Sequence, residues 1–415
     1  MSDEYPLLAR QPIFNRDMAV VAYELLYRTD GDNRAKVTDG NIASSQVLLN
    51  TFTELSIEKV VGEHKAFVNF TGALMEANLP FDTSQLVIEV LEGEYVDARL
   101  LHRLKSLREQ GFAIALDDFE WTAQSEQLLP YADIVKLDVL ALNTQQLNEH
   151  IHKLKHLGLQ VLAEKIETFD MLEHCRELGC DLFQGYFLEK PKVLTGQRLS
   201  ESKQAVLQLL AKLNDREVVF SEVEDVISRD PVLSYKLLRL VNSAAFGLPR
   251  TIESLRQALT LLGLKIIKNW IGLLAMAKLG DKPAELSVKA LTRAKLCELM
   301  AAHTRPANQC DSFFTVGLLS MLDAFMDAPL EKVLNGIQLS DSLMAALLRF
   351  EGEEGKFLQA AIAYDHGDWN AIDWTFLAQQ NIDPGVLSSL YLTTLEWVDD
   401  TQHAIRAEIS TLPGR

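Results

Sequence analysis

The sequence predicts an α/β domain followed by an all-α domain: a (β/α)8 barrel over residues 1–195 and a helical domain over residues 196–415. In the first half, short apolar runs alternate with amphipathic stretches, which is typical of a mostly parallel sheet covered by helices. In the second half, amphipathic stretches follow one another, and prolines stand between them or at their starts. This change in pattern predicts a domain boundary near Lys192–Arg198.

Eight apolar runs are the predicted strands of the barrel. They are Leu7–Ile13, Val20–Tyr27, Ala66–Phe70, Leu86–Leu91, Phe112–Leu116, Ile134–Leu137, Leu159–Ala163 and Leu182–Phe183. A short stretch around Asn15 separates the first two runs and leaves no room for a crossover helix, so we expect an antiparallel hairpin there. Because the first half is short for eight strand–helix units, we also expect some of its helices to be short or missing.

The helical patterns have three- and four-residue spacing of their apolar positions. In the first half they cover residues 41–57, 95–110, 143–156 and 170–178; in the second half they cover 199–213, 221–228, 232–243, 252–261, 264–278, 285–303 and 312–326, with several more beyond. One stripe in the second half, formed by Leu233, Leu237, Leu240 and Val241, suits either core packing or a groove for a partner protein.

The composition indicates a globular, acidic chain with a formal net charge of −18. Because an acidic surface repels polyanions, we expect no binding of DNA or RNA. The N-terminus lacks the basic and apolar regions of a signal peptide, and lysines interrupt the longest apolar stretch, near Trp270. We therefore expect no membrane association and a cytoplasmic location, where the four cysteines stay reduced.

Polar residues stand at the ends of the predicted strands, where a barrel of this class carries its functional groups. They are Glu24, Asn69, Glu89, Asp117, Asp118, Lys136, Glu164, Glu167 and Gln184. Converging carboxylates repel one another and are costly to bury unless they are paired or bind a cation, and oxygen ligands with one amide suit Mg²⁺ or Mn²⁺. Structural alternatives stay open for single residues: a helix cap for Asp118, an ion pair for Glu89, and an ion pair of Lys136 with Asp138 or another nearby acid.

Seven segments in a fixed order resemble an EAL domain over nearly all of residues 5–192: QPIFNRDMAVVAYELLYR, FVNF, VIEVLE, ALDDF, IVKLD, AEKIET and FQGYFLEKP. The resemblance implies a cyclic-di-GMP phosphodiesterase that hydrolyses cyclic di-GMP to linear pGpG with two Mg²⁺ or Mn²⁺ ions. It also implies a role for each matching residue. Glu24, Asn69, Glu89 and Asp117 would hold the first metal, Asp117 and Asp118 the second; Lys136 and Glu164 would act on the attacking water with support from Glu167; and Gln11, Arg28 and Gln184 would line the ligand site.

The second half resembles an HDOD domain in the segment VEDVISRDPVLSYKLLRLVNSAAFGLPRTIESLRQALTLLGL. This family is a helical relative of the HD-type phosphohydrolases, which need a His-Asp pair as metal ligands. Ser320 and Met321 stand in the expected positions of that pair. The resemblance therefore implies a non-catalytic signalling module that binds an unidentified signalling protein.

Departures from the EAL pattern keep two hypotheses open. The segment Glu120–Ser125 replaces a glycine-containing loop that supports the second metal and dimerisation in the family, and Lys165 replaces a glycine after Glu164. The first hypothesis is a phosphodiesterase coupled to a signalling module; the second is a catalytically degenerate cyclic-di-GMP receptor or interaction protein. Whether the chain forms a homodimer also stays open.

Overall fold

A computed structural model divides the chain into two compact units, Met1–Lys190 with Asp365–Gly367 and Pro191–Tyr364 with Asp368–Arg415. The structure describes residues 7–28, 57–70, 82–91, 95–190, 201–214, 220–223, 237–238, 240–243, 246, 252, 254–277, 282–306, 309–335, 337 and 339–406. The predicted boundary between residues 195 and 196 lies outside these residues and stays a prediction.

The first unit contains a closed barrel of eight strands, which confirms the predicted fold class. The strands are β1 (Leu7–Asn15), β2 (Val20–Arg28), β3 (Lys65–Phe70), β4 (Leu86–Val90), β5 (Ala113–Leu116), β6 (Ile134–Asp138), β7 (Gln160–Glu164) and β8 (Leu182–Phe183). Strand β1 is antiparallel to both of its neighbours, β2 and β8, and the other adjacent pairs are parallel. The predicted hairpin is therefore confirmed.

The turn between β1 and β2 is closed by the side chain of Asn15. Its Oδ1 accepts hydrogen bonds from the backbone N–H groups of Asp17 and Ala19, both at 3.0 Å. Met18 has a φ of 61° in this turn. An asparagine side chain that binds its own backbone two residues later is a common way to reverse the chain without a helix.

The interior of the barrel contains one layer of apolar side chains, to which all eight strands contribute. The layer consists of the buried residues Ile13, Ala22, Phe67, Val87, Ala115, Ile134 and Leu162 and the partly buried Leu182. In the seven strands after β1, the next inward position is two residues nearer the carboxyl end, because alternate residues of a strand face the same side. The barrel is thus closed by packed side chains immediately below the polar strand ends.

Four helices of the first unit lie among the described residues: α1 (Ile57–Val61), α2 (Ala98–Glu109), α3 (Thr144–His156) and α4 (Phe169–Leu178). Asp97, Asn143 and Thr168 cap the last three through their side-chain oxygens. Between β5 and β6 the chain forms only two short 3₁₀ turns, Ser125–Gln127 and Leu129–Tyr131. This connection accounts for part of the predicted shortage of helices, whereas the helical pattern at 41–57 lies outside the described residues except for Ile57.

The described part of the second unit is helical, as predicted. Its helices are α5 (Glu201–Asn214), α6 (Leu255–Ala277), α7 (Ala284–Thr304), α8 (Asp311–Leu319), α9 (Leu322–Met326), α10 (Leu330–Leu334), α11 (Asp341–Arg349), α12 (Gly352–Asp365), α13 (Trp374–Gln379) and α14 (Pro384–Arg406). The patterns at 252–261 and 264–278 fall in α6, which is kinked at Gly263. The pattern at 312–326 is divided between α8 and α9.

The core of the second unit forms around α7, most of whose residues are buried. Gly317 of α8 lies so close to α7 that a Cβ there would come within 2.5 Å of the Ala294 Cα. The stripe that suited either a core or a groove is buried at Leu237, Leu240 and Val241, which is the arrangement of core residues. Its fourth member, Leu233, lies outside the described residues, as does most of the predicted helix at 221–228.

No single helix in the described ranges is both long and apolar enough to span a membrane. One bent pair, Arg256–Leu264 with Ile266–Met276, meets these requirements jointly by length and composition alone. Its second half is largely buried within the helical unit.

Replacing Gly185 should destabilise the barrel more than replacing an ordinary left-handed glycine. Gly185 has a φ of 148°, and a Cβ at this position would lie 2.1 Å from the Ile166 carbonyl oxygen. We expect Gly185→Ala to reduce the free energy of unfolding by about 2–4 kcal/mol, measured by urea denaturation. The matched control, Gly158→Ala, has a φ of 78° with no atom within 4 Å of the added Cβ, and should cost only about 1 kcal/mol. Equal losses in the two variants would contradict the prediction.

Candidate functional site

A polar layer lies directly above the apolar layer of the barrel. Each strand after β1 contributes the residue two positions beyond its apolar one, and the antiparallel β1 contributes the residue two positions before. The layer consists of Gln11, Glu24, Asn69, Glu89, Asp117, Lys136, Glu164 and Gln184. The strands of the barrel thus bring together eight of the eleven site residues predicted from the sequence.

The centre of this layer is the ammonium group of Lys136, which is fully buried. Its Nζ lies 2.6 Å from Glu89 Oε1, 2.7 Å from Asp117 Oδ1, 2.8 Å from Glu164 Oε1 and 3.3 Å from Glu24 Oε2. The alternative of an ion pair between Lys136 and Asp138 is wrong, because Asp138 contacts a different lysine. A single ammonium therefore holds four carboxylates from four strands.

The electrostatics of the cluster show an excess of negative charge. Burial alone would lower the pKa of Lys136, but the four carboxylates, Glu89 first, raise it well above its ordinary value. Burial raises the pKa of Glu89 well above the ordinary range, and the neighbouring charge of Glu24 raises it further. Burial also raises the pKa of Glu164 to about 8, although Lys136 opposes this shift. One positive charge does not balance this set of acids, so the cluster favours a further cation.

Two glutamines extend the polar layer beside Glu24. Gln184 Nε2 donates to Glu24 Oε2 at 2.6 Å and to Gln11 Oε1 at 2.9 Å. Gln11 also lies directly opposite Glu24 in the pairing of β1 with β2. The sequence placed Gln11 and Gln184 in the site, and the structure joins both to the cluster through these hydrogen bonds.

The donor set of the cluster fits a divalent cation. Among the described residues, Asn69 Oδ1 and Glu89 Oε2 are buried and have no hydrogen-bond partner. These two residues lie opposite each other in the pairing of β3 with β4. Buried oxygens normally have a partner, and carboxylate and amide oxygens are the ligands preferred by Mg²⁺ and Mn²⁺. Glu24, Asn69, Glu89 and Asp117 are the residues that could hold such an ion.

Tyr27 supports the cluster from outside and was missed in the sequence analysis. Its hydroxyl donates to the backbone carbonyl of Asn69 at 2.9 Å. Burial, and then the charge of Glu89, raise the pKa of Tyr27 to about 12, so the phenol keeps its proton. Tyr27 thereby fixes the end of β3, where Asn69 stands. Its position three residues after Glu24 places it on the opposite face of β2, so strand periodicity alone gave no reason to select it.

The backbone turns sharply after two of the cluster carboxylates. Asp118 follows Asp117 with a φ of 38°, and Lys165 follows Glu164 with a φ of 58°. A residue with a side chain pays about 1–2 kcal/mol for this left-handed conformation. Each turn directs one carboxylate into the cluster and the next side chain away from it. Such strained residues gather at functional sites, where the surrounding structure enforces them.

A second charge cluster stands beside the first and consists of Asp118, Asp138 and Lys165. Lys165 Nζ lies 2.6 Å from Asp138 Oδ2 and 3.1 and 3.2 Å from the two carboxylate oxygens of Asp118. The sequence places Asp118 beside Asp117 but does not indicate this arrangement. Asp138 lies two residues after Lys136 on β6, and this spacing was the available signal that it faces the same side of the sheet.

Besides Asp118 of the second charge cluster, two predicted site residues are not part of the polar layer, Glu167 and Arg28. Glu167 forms an ion pair with Lys190, whose Nζ lies 2.8 Å from Glu167 Oε2, and both side chains are half exposed. Arg28 is the last residue of β2, four residues after Glu24. The side chain of Arg28 lies outside the described part of the chain, so its place in the ligand site stays a prediction.

The segment that replaces the glycine-containing loop is held by its own side chains. The backbone N–H of Thr122 donates to the Ser125 hydroxyl at 2.9 Å, and the backbone N–H of Ser125 donates to the Thr122 hydroxyl at 3.1 Å. The Trp121 ring packs edge-on against Phe119 and lies beside His150 of α3, with ring centroids 5.5 and 5.6 Å apart. A cavity of about 840 Å³ lies next to this segment, and Asp117, Asp118 and Asp138 line it. The cavity therefore reaches both charge clusters.

In the helical unit, the place of the His-Asp metal pair is occupied by side chains with other partners. The Ser320 hydroxyl donates to the Gly317 carbonyl at 2.7 Å. Met321 is buried, and its sulfur lies 2.7 Å from Arg293 Nη1. These two positions supply no imidazole or carboxylate for a metal ion.

The stability of the metal-free protein should decrease with rising pH through Glu164. Because its folded pKa of about 8 lies above its unfolded value, the stability that it contributes is complete below the unfolded pKa and is lost as the pH rises through about 8. In EDTA, we expect the free energy of unfolding of the parent to decrease relative to that of Glu164→Gln between about pH 5 and pH 9. The exposed Glu109→Gln serves as the control and should follow the parent. Parallel curves for the parent and Glu164→Gln would contradict the assignment.

Comparison with known proteins identifies both halves of the chain. The EAL domain model matches residues 46–191, and the HDOD domain model matches residues 199–350. The residues before 46, which include Gln11, Glu24 and Arg28, precede the matched range. The pairing of β1 with β2 in the closed barrel places Gln11 and Glu24 in the polar layer.

Two relatives align with most of this chain. The uncharacterized protein YuxH of Bacillus subtilis is 36% identical over 409 residues, which are 96% of this chain and 99% of YuxH. The cyclic di-GMP phosphodiesterase CdgJ of Vibrio cholerae is 32% identical over 373 residues, which are 88% of this chain and 86% of CdgJ.

A solved structure of Klebsiella pneumoniae BlrP1 with manganese and cy-diGMP is similar over 45% of this chain and 56% of that chain, at 21% identity and a TM-score of 0.37. From the two domain models and from relatives matched over most of their length, the chain belongs to the family of proteins in which an EAL domain is followed by an HDOD domain.

Proposed function

We propose that the barrel is a metal-dependent phosphodiesterase that hydrolyses cyclic di-GMP to linear pGpG. The observation that carries this proposal is the convergence of four carboxylates on Lys136, beside two buried oxygens that have no hydrogen-bond partner among the described residues. Membership of the EAL–HDOD family supports it, as does the name of the relative CdgJ, a cyclic di-GMP phosphodiesterase.

The substrate and the site are both negatively charged. Cyclic di-GMP carries two phosphate charges, so an acidic cluster can accept it only after a cation changes the sign of the local field. We propose Glu24, Asn69, Glu89 and Asp117 as the ligands of a Mg²⁺ or Mn²⁺ ion. When bound, such an ion would polarise the phosphate and make water a stronger nucleophile at neutral pH.

The residues around the cation would orient and move protons. A water oxygen attacks phosphorus, the bond from phosphorus to one sugar oxygen breaks, and that oxygen takes up a proton to give the open dinucleotide. Glu164 is the proposed acceptor of the water proton, because its carboxylate contacts Lys136 at 2.8 Å and is not one of the proposed cation ligands. Lys136 is proposed to hold the four carboxylates in position and to stabilise negative charge on the phosphate.

The remaining predicted residues have proposed supporting roles. Gln184 orients Glu24 through its 2.6 Å hydrogen bond and keeps Gln11 at the rim of the cluster. Arg28, the last residue of β2, is proposed to bind a phosphate of the substrate. Glu167, half exposed and paired with Lys190, is proposed to support the segment that follows Glu164.

For the helical unit we propose a non-catalytic signalling role in the cytoplasm, through contact with an unidentified signalling protein. The buried Met321 and the hydrogen-bonded Ser320 at the position of the metal pair favour this role over a second phosphohydrolase. The absence of membrane association stays a prediction from the sequence, and the formation of a homodimer stays open. The second candidate function, a cyclic-di-GMP receptor without turnover, is favoured by one observation, the ion pair of Lys165 with Asp118.

The central test is the incubation of the purified full chain with cyclic di-GMP and Mn²⁺, followed by chromatography for pGpG. We expect product from the parent, and a loss of about 100-fold or more in rate for Glu24→Gln, because a metal ligand and a partner of Lys136 are removed together. Glu109→Gln serves as the control, because Glu109 is an exposed carboxylate at the end of α2 whose side chain is 68% accessible.

The outcomes separate the two candidate functions. Nucleotide bound without product would refute the enzyme and support the receptor. If the protein neither binds the nucleotide nor forms product, both candidates are refuted. An active Glu24→Gln variant would show that Glu24 is not a required ligand.

A further inference from the structure

Among the lysines that the structure describes, Lys165 differs from the others in its backbone and in its partners. Its φ of 58° lies in the region that favours glycine, yet a lysine is present. Its ammonium contacts three carboxylate oxygens, two from Asp118 and one from Asp138. The side chains of these aspartates are partly buried, with 34% and 20% accessibility, so the ion pairs are shielded in part from solvent.

The partners of Lys165 belong to the same part of the barrel as the main cluster. Asp118 follows Asp117 directly, Asp138 lies two residues beyond Lys136, and Lys165 follows Glu164. The carboxyl ends of three consecutive strands, β5, β6 and β7, therefore each supply one residue to the Lys136 cluster and another to the Lys165 cluster. A second position suited to a cation therefore lies beside the Lys136 cluster, and the covalently attached ammonium of Lys165 fills it.

An ammonium and a divalent cation at this position are alternatives. Both are attracted by the same oxygens of Asp118 and Asp138, and like charges this close repel strongly. The ammonium also does not have to be taken up from solution, since it is attached to the chain. A metal ion could use Asp118 only if it displaced the side chain of Lys165 from both aspartates.

We propose that the ammonium of Lys165 replaces a second divalent cation at Asp118, so that the barrel binds one divalent cation per chain, at Glu24, Asn69, Glu89 and Asp117. This inference rests on the proposed function for its metal site and assigns Lys165 as a positioning residue that holds Asp118. The positive charge beside Asp118 is thus supplied by the chain itself and is independent of the metal concentration.

The test is a count of bound Mn²⁺ by equilibrium dialysis of the full chain against MnCl₂, with electron paramagnetic resonance of the bound ion. We expect one tightly bound ion in the parent, with the spectrum of an isolated Mn²⁺. Lys165→Met keeps the aliphatic chain and removes the charge, and it should bind two ions that give a spin-coupled spectrum. Lys165→Gly, which also suits the positive φ, serves as a second variant if the first does not fold.

A double variant locates the added ion. Lys165→Met combined with Asp118→Asn should return the count to one, because the second set of oxygens is lost. The matched control is Lys155→Met, since Lys155 also contacts both carboxylate oxygens of one aspartate, Asp181, at 2.7 and 2.8 Å. That pair stands at the opposite ends of the strands, where Asp181 precedes β8, so the control should bind one ion.

Two ions in the parent, or one ion in both single variants of Lys165, would overturn the inference. Assays for pGpG and for bound cyclic di-GMP on the parent keep this result apart from the proposed function. One ion with neither product nor bound nucleotide would refute the proposed function and leave the cation assignment standing. Product formation by a parent that holds two ions would refute the cation assignment and leave the function standing.

Discussion

The structure of the barrel depends on the burial of one ammonium group. An unpaired charge inside a protein is prohibitively costly, so Lys136 can occupy the interior only if acids meet it there. Those acids come from β2, β4, β5 and β7, and a register shift of one residue in any of these strands would turn its carboxylate to the outer face. The ion cluster thus couples the registers of five strands. The same coupling fixes the positions of the oxygens that could hold a cation.

The layering of the barrel makes this cluster tolerable. The apolar layer directly below it fills the interior with packed side chains, and the polar layer occupies the next inward position of each strand. Residues two apart on a strand face the same side, so the sequence needs only one polar residue after each inward apolar one. The pattern extends to the antiparallel β1, where the order along the chain is reversed and Gln11 precedes Ile13. The apolar layer and the polar layer above it therefore both follow from the two-residue periodicity of the strands.

Local pattern was sufficient to predict the strands and seven of the eight residues of the polar layer; Gln11 was predicted only from the resemblance to the EAL family. Apolar runs mark the strands, and a charged residue such as Lys136 inside an apolar run has few structural explanations. The partners of each lysine could not be predicted, because they depend on the order and tilt of strands around a closed barrel. Strand periodicity places Lys136 and Asp138 on one face, yet Lys136 contacts acids from four other strands and Asp138 contacts Lys165. The positive φ of Asp118, which separates it from Asp117, was likewise not visible in the sequence.

The departures from the family pattern differ in their consequences. In the segment after Asp118, loss of the glycines is offset by the hydrogen bonds between Thr122 and Ser125 and by packing of Trp121, so this segment keeps a defined conformation. The change from glycine to Lys165 is different in kind, since it adds a positive charge within 3.2 Å of Asp118. A conformational loss can be offset by other local contacts, but an added charge changes which ions the neighbouring oxygens accept. The proposed cation binding therefore depends more on the balance of charge at Asp118 than on the glycines of the loop.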